Sequence, residues 1–255
     1  GLGFSVLGSP AGGARFLAEC PNVRRVYCQF EVGSWLLSFD PASRPVFIHS
    51  NTFAYPPDFF DRAVRSQGDS GLFQAIVADH AIDGVLLKHT YGRSHALIRH
   101  LAKSPQWTVG FFDHATVVFL KQPTYRPDNP GPSVTPVAER IAELINNISS
   151  IDRAAPGVAL VPVGNLMDSL GFDELSVRCW MEALTVQPDA YEAWNQLGMY
   201  WGRQAAEAAG VGDGWRQRQC NAKALDCFDK ALRIEPGYRL ARLNRDIARS
   251  NLGLR

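Results

Sequence analysis

The chain has 255 residues, 46% of them hydrophobic, and its 26 basic residues nearly balance 25 acidic ones. A chain of this length can bury one large core or two ordinary ones, and it mildly favours two domains. Because the net charge is close to zero, we expect no nucleic-acid partner. The sequence shows neither a signal-peptide pattern nor a long apolar run, but it begins at Gly1 without Met, so we expect a piece of a longer protein.

A proline-rich segment, residues 123–136, separates two regions of different pattern. It reads "PTYRPDNPGPSVTP", a composition that cannot sustain a helix or an inner strand. We therefore predict an α/β domain over residues 1–122, a linker over 123–136 and a helical domain over 137–255.

The first domain alternates short β-branched and aromatic runs with amphipathic stretches. Strands are predicted at 24–30, 44–50 and 83–90, and a hairpin at 107–122. The predicted helices are 31–39, 56–67, 71–81 and 94–104. Such alternation implies parallel pairing with right-handed crossovers. The predicted fold class is therefore a three-layer α/β domain with a mostly parallel sheet of about five strands, followed by an all-α array of helical hairpins.

No catalytic constellation is evident in this domain, and no cofactor is expected. The Gly-rich segment 8–15 lacks the spacing of a phosphate-binding loop and precedes the first predicted strand. Asp113 and His114 fit a turn better than an acid/base pair, because neighbouring residues on a strand point to opposite faces.

The histidines and cysteines lack the spacing of a metal site. His95 and His100 lie on one predicted helix but about 140° apart around its axis, so we expect them, like His89, at the surface or at helix caps. The five cysteines form no CxxC pair and no zinc-finger spacing. We expect buried thiols, with a single disulfide as the alternative. No metal is therefore predicted.

The first domain resembles a soluble domain of bacterial membrane proteins. The resemblance rests on four segments in order: "RRVYCQFEVGSWLL", "RPVFIHSNTFAY", "DHAIDGVLLKH" and "WTVGFFDHATVVFL". They are similar to the C-terminal α/β domain that follows the transmembrane helices in polytopic proteins related to the GT-C glycosyltransferases. Gly33 and Leu36 match its first motif, whereas His49, Ser50 and Asn51 replace the residues of its second.

That resemblance implies where the chain lies and which part of the full-length protein would be catalytic. The chain would lie at the extracytoplasmic (periplasmic) face of a bacterial membrane, with the cytoplasm as the alternative. Any glycosyl transfer would be carried out by a membrane part that is absent here, so no catalytic residue is assigned in this chain.

The helical domain strongly resembles the tetratricopeptide repeat (TPR) family. The residues at the first-helix offsets of that repeat are Trp194, Leu197 and Gly198. Those at the second-helix offsets are Ala224, Phe228, Ala231 and Pro236, and, one unit earlier, Ser176, Trp180, Ala183 and Pro188. We therefore predict repeats near 157–190 and 191–238, followed by a capping helix.

The second repeat is longer than the first. Pro188 and Pro236 are 48 residues apart, whereas the repeat period is about 34. We expect each helix of this hairpin to gain about seven residues, or about 10 Å, which would produce a protruding tip near Gly210 to Trp215. Trp215 would there contact a partner or a membrane surface, or else fold back against the repeat helices or the α/β domain.

The resemblance to the repeat family implies that a peptide binds in a groove lined by the first helices. The matching residues are Asn165 and Asp168 in the first repeat and Glu192, Asn195 and Met199 in the second. Their acidic and amide side chains suit a basic or polar partner, and a solvated groove without a ligand is the alternative.

These patterns together predict a non-catalytic interaction portion of a larger envelope or membrane protein. It would bind a protein or peptide partner, which could be the membrane part of its own full-length chain. One alternative is an accessory C-terminal domain of a GT-C-like membrane glycosyltransferase. The other is a free cytosolic TPR adaptor whose α/β domain senses a small ligand.

Overall fold

A computed structural model describes four stretches of the chain, which are residues 9–39, 45–122, 136–147 and 156–254. Apart from Pro136, the predicted linker 123–136 lies outside the described residues. No helix in these stretches is both long enough and apolar enough to cross a membrane.

The chain divides into two compact units. The first comprises Gly1–Asn147 and Leu166–Phe172, and the second comprises Ile148–Asn165 and Asp173–Arg255. Each unit is built around its own core.

The first unit contains a four-stranded mixed sheet within the described ranges. Its strands are β1 (Val26–Cys28), β2 (Gly84–Lys88), β3 (Trp107–Phe112) and β4 (Thr116–Lys121). They are ordered β1-β2-β4-β3. Strands β1 and β2 run parallel, whereas β4 runs antiparallel to both β2 and β3.

The predicted three-layer α/β domain with a mostly parallel sheet of about five strands is therefore wrong. The segment predicted as a strand at 44–50 contributes only an isolated bridge between Val46 and Val26. The predicted hairpin is present, but its second strand β4 lies inside the sheet beside β2. Because two strands joined by a tight turn run antiparallel, this insertion leaves a single parallel pair.

Within the described ranges the first unit also has six α-helices. They are α1 (Ala11–Ala18), α2 (Phe30–Phe39), α3 (Pro57–Arg65), α4 (Ser70–Asp79), α5 (Ser94–Lys103) and α6 (Val137–Asn146). Residues 11–15 of the Gly-rich segment thus lie in helix α1, not in a phosphate-binding loop. A β-carbon on Gly12 would collide with Asp113, and one on Gly13 with Leu86, so these glycines let α1 lie directly against the sheet.

The strands bury side chains on both faces. Val26, Cys28 and Leu86 pack with α1 and α2 in one cluster. On the opposite face Tyr27 meets Phe73 of α4, with ring centroids 5.2 Å apart. Burial on both faces explains why these strands are almost continuously apolar in sequence.

The described part of the second unit is helical. Its helices are α7 (Pro156–Leu170, whose last turn belongs to the first unit), α8 (Asp173–Val186), α9 (Tyr191–Gly210), α10 (Gly214–Ile234) and α11 (Arg239–Asn251). Helices α9 and α10 have 20 and 21 residues, compared with 14 in α8. They meet at a turn over 211–213, inside the segment predicted as a tip. Gly212 has a φ of 76°, which a glycine adopts without strain.

The same contact closes both hairpins of this unit. A β-carbon on Gly164 would overlap the indole of Trp180, and a β-carbon on Gly198 would overlap the ring of Phe228. The two glycines are 34 residues apart, whereas the two aromatic residues are 48 apart. The additional residues of the second hairpin therefore lie between Gly198 and Phe228. They lengthen the hairpin on the side of this contact that leads to the turn over 211–213.

Candidate functional site

A groove lies between α9, α10 and α11 in the second unit. It has a volume of about 380 Å³. Met199 of α9, Phe228 of α10 and Ile247 of α11 provide apolar lining, and Asn221 and Asn244 provide amides. A groove of this size can receive a few side chains of a bound molecule.

Exposed apolar side chains follow one face of α11 beside the groove. Leu240, Leu243 and Ile247 are 56%, 59% and 53% exposed. Their spacing places them on one side of the helix. Burying such side chains against a partner would be favourable, because each leaves a large apolar area in water.

The apolar row of α11 continues the groove positions predicted on α9. Leu240, Leu243 and Ile247 follow Glu192, Asn195 and Met199 by 48 residues each, the same separation as Pro188 and Pro236. This row is not among the residues predicted from sequence, because the pattern of α11 was interpreted only as a cap. Applying the 48-residue offset to the predicted groove positions would have found it.

Paired asparagines hold α11 against its neighbours. The amide nitrogen of Asn244 donates to Asn195 Oδ1 at 3.3 Å, and that of Asn251 donates to Asn221 Oδ1 at 3.3 Å. Asn195 and Asn221 are buried. Each bond satisfies the carbonyl oxygen of a buried amide, which would otherwise cost free energy, and so favours this position of α11.

One charge lies in the groove. Among the described lining residues, Arg203 alone is charged, and its guanidinium is 3.9 Å from a carboxylate oxygen of Asp173. The Arg203 side chain is 42% exposed, so the pair is a weak surface contact. Arg203 can therefore contact an anionic group on a partner.

The residues predicted to bind a partner lie in different environments. Met199 lines the groove and is 41% exposed, whereas Asn195 is buried and braces Asn244. Glu192 lies half-buried on α9. Asn165 Oδ1 accepts a hydrogen bond from the Trp180 indole at 3.1 Å, so this amide supports the first hairpin.

The other two predicted residues lie elsewhere. Asp168 belongs to the first unit, where its charge acts on His95. Trp215 is 71% exposed beside the turn between α9 and α10, so it does not fold back against the helices. Its role as a contact stays a prediction.

A second cavity lies in the first unit where the parallel strands β1 and β2 end. It has a volume of about 440 Å³, and the residues that follow each strand line it, among them Glu31 after β1 and Arg93 after β2. Gln29 forms its floor: its Oε1 accepts from the Lys88 amide at 2.8 Å, and its Nε2 donates to Ser94 Oγ at 2.7 Å. Carboxyl ends of parallel strands are a common location of ligand sites in α/β proteins.

The histidine environments differ from the sequence-based expectation. His89 is fully buried, so its assignment to the surface or a helix cap is wrong. Its Nε2 donates to the Asp113 carbonyl oxygen at 2.9 Å, and its Nδ1 has no hydrogen-bond partner among the described residues. Burial lowers the pKa of His89 to about 4. It also lowers the pKa of His95, whose Nδ1 is 2.7 Å from Ser169 Oγ.

Asp113 has a structural role in the hairpin. Its Oδ1 accepts hydrogen bonds from the amides of Ala115 at 2.9 Å and Thr116 at 2.7 Å, which closes the turn between β3 and β4. The interpretation of Asp113 and His114 as a turn is therefore confirmed.

The five cysteines are buried and in thiol form, as expected. Burial raises the pKa of Cys28 and Cys179 to about 12 and that of Cys227 to about 11. These thiols stay protonated near neutral pH, whereas a nucleophilic cysteine needs a lowered pKa.

No known protein-family model matches the chain. The resemblances to tetratricopeptide repeats and to a domain of membrane glycosyltransferase relatives stay predictions from sequence. Two candidate binding sites are therefore present in the described residues. One is the groove in the second unit, and the other is the cavity at the strand ends of the first.

Proposed function

We propose that the second unit binds a protein or peptide partner in the groove between α9, α10 and α11. In this proposal the unit is a short array of TPR-like hairpins, and it acts by binding and not by catalysis. The observation that carries the proposal is the exposed apolar row of α11 beside an apolar groove.

The support for the proposal is both energetic and geometric. Contiguous exposed apolar surface is costly in a protein that functions alone, and such patches commonly mark interaction sites. The hairpins that form the groove are closed by the contacts of Gly164 and Gly198 with aromatic rings, and the asparagine pairs fix α11. A partner would therefore meet a preorganised surface, which lowers the entropy cost of binding.

The test compares two charge substitutions at exposed apolar positions. Ile247→Glu places a carboxylate in the groove, whereas Val211→Glu places one at the 80%-exposed turn between α9 and α10. We expect partner proteins crosslinked to the intact chain in its source cells to be retained by Val211→Glu and lost with Ile247→Glu. Circular dichroism of both variants checks folding. Retention of the same partners by a folded Ile247→Glu variant would contradict the proposal.

A second candidate function is small-ligand binding in the first unit. The specific observation is the cavity at the ends of β1 and β2, whose floor is held by the buried Gln29 amide. A thermal-shift screen of the intact chain against nucleotides, amino acids and sugar phosphates tests it. We expect a saturable shift that Arg93→Ala reduces, and a screen without any such shift would remove this candidate.

A further inference from the structure

The side chains of the groove indicate what kind of partner it accepts. We propose, as a deepening of the proposed peptide-binding function on which it rests, that the partner is an amphipathic helix. Its apolar stripe contacts Met199, Leu243 and Ile247, and a carboxylate beside the stripe contacts Arg203.

The spacing of the apolar residues fits a helical partner. Leu240, Leu243 and Ile247 lie on one side of α11 and extend about 10 Å along its axis. An amphipathic helix presents apolar residues at i, i+3 or i+4, and i+7, which repeat over a similar distance. Met199 and Phe228 extend the apolar surface across the groove, so the stripe of a helix can be covered from two sides.

The groove suits a helix better than an extended strand. Asn244 and Asn251 each use one amide N–H in a bond to Asn195 and Asn221, and apart from the asparagines and Arg203 the lining is apolar or glycine. An extended peptide exposes a donor and an acceptor on almost every residue, more than these few polar side chains can pair, and unpaired main-chain groups cost free energy. A helix pairs its own main chain and presents only side chains.

The charge in the groove favours an acidic partner. Arg203 is the charged residue of the described lining; its guanidinium also lies 6.0 Å from the centroid of the Tyr200 ring, and its contact with Asp173 is long and solvent-exposed. A partner carboxylate held against the apolar lining would be shielded from water, so it would interact more strongly with Arg203 than Asp173 does. Partners with a lysine at that position would be disfavoured by like-charge repulsion.

The experiment uses three synthetic helix-forming peptides. One has leucines at i, i+3 and i+7 with glutamates beside them, one is a scramble that destroys the stripe, and one has lysines in place of the glutamates. Fluorescence anisotropy measures their binding to the intact chain. We expect the first peptide to bind at least about tenfold more tightly than either of the others. Arg203→Glu should reverse the preference between glutamate and lysine peptides.

The outcomes distinguish failure of the helical-partner inference from failure of the proposed peptide-binding function. Equal binding of the scramble, with binding still abolished by Ile247→Glu, would overturn the helical partner but retain a peptide-binding groove. Binding that neither Ile247→Glu nor Arg203→Glu alters would contradict both. If none of the peptides binds, or if the chain instead self-associates through Ile247, the inference is also overturned.

Discussion

The two units differ in the polar groups that they bury. The first buries an ionisable side chain, the imidazole of His89. The second buries the amides of Asn195 and Asn221, which do not titrate, and its glycines lie against Trp180 and Phe228. All six histidines of the sequence lie before residue 123, so the second unit contains none. Acid should therefore weaken the first unit, and loss of aromatic volume should weaken the second.

The largest effect is expected from removing the aromatic ring in either hairpin. Trp180 and Phe228 are 1% and 3% exposed, so Trp180→Ala and Phe228→Ala each leave a cavity beside a glycine. We expect each to lower the free energy of unfolding by about 3–5 kcal/mol, measured by urea denaturation. Similar losses at both sites would show that the two contacts are equivalent. A loss below about 1 kcal/mol at either would contradict the role assigned to it.

Acidification should weaken the first unit through His89. The pKa of this buried imidazole is about 4 in the folded protein, against 6.5 ordinarily, so the unfolded chain binds more protons between these values. Stability therefore falls as the pH is lowered from 6.5 toward 4, by about 3 kcal/mol for this group. His95 adds a contribution of the same sign, because burial lowers its pKa as well.

The measurement for His89 is urea denaturation at several pH values, with His89→Gln as the comparison. The variant retains a side-chain donor but does not titrate, so its stability should vary less with pH than that of the wild type. Equal pH dependence in both proteins would show that His89 does not cause the effect.

The smallest effect is expected at the turn of the long hairpin. Trp215 and Val211 are 71% and 80% exposed, so Trp215→Ala and Val211→Ser should change the free energy of unfolding by no more than about 0.5 kcal/mol. Trp215→Ala is also the matched control for Trp180→Ala, because both remove an indole. A large loss from Trp215→Ala would mean that this side chain packs against the helices in solution.

Much of the local structure could be predicted from sequence. Helices α2 to α5 and the hairpin of β3 and β4 occur where periodicity and turn residues place them. The sheet order could not be predicted, because it depends on which strand the hairpin pairs with, and periodicity carries no information about neighbours. Helix α1 was missed because glycine is a poor helix former, although Gly12 and Gly13 are needed for close packing.

The candidate groove was only partly predictable. Met199 was identified from its offset in the repeat, and it lines the groove. The pairing of Asn195 with Asn244 joins residues 49 positions apart on different helices, which no local pattern reveals. Leu240, Leu243 and Ile247 were available from the repeat offset, but the arginines between them favoured an interpretation of α11 as a solvated cap.

The most direct test of the binding groove uses the three methionines of the chain as reporters. Met199 lines the groove and Met181 is 52% exposed on α8 outside its lining, whereas Met167 is buried. The intact chain with ¹³C-labelled methionine methyl groups would be titrated with the leucine and glutamate peptide and observed by NMR. We predict that the Met199 signal shifts in a saturable way while the Met181 and Met167 signals stay in place. A saturable shift of Met181 with Met199 unchanged would contradict the account, because the peptide would then bind outside the groove.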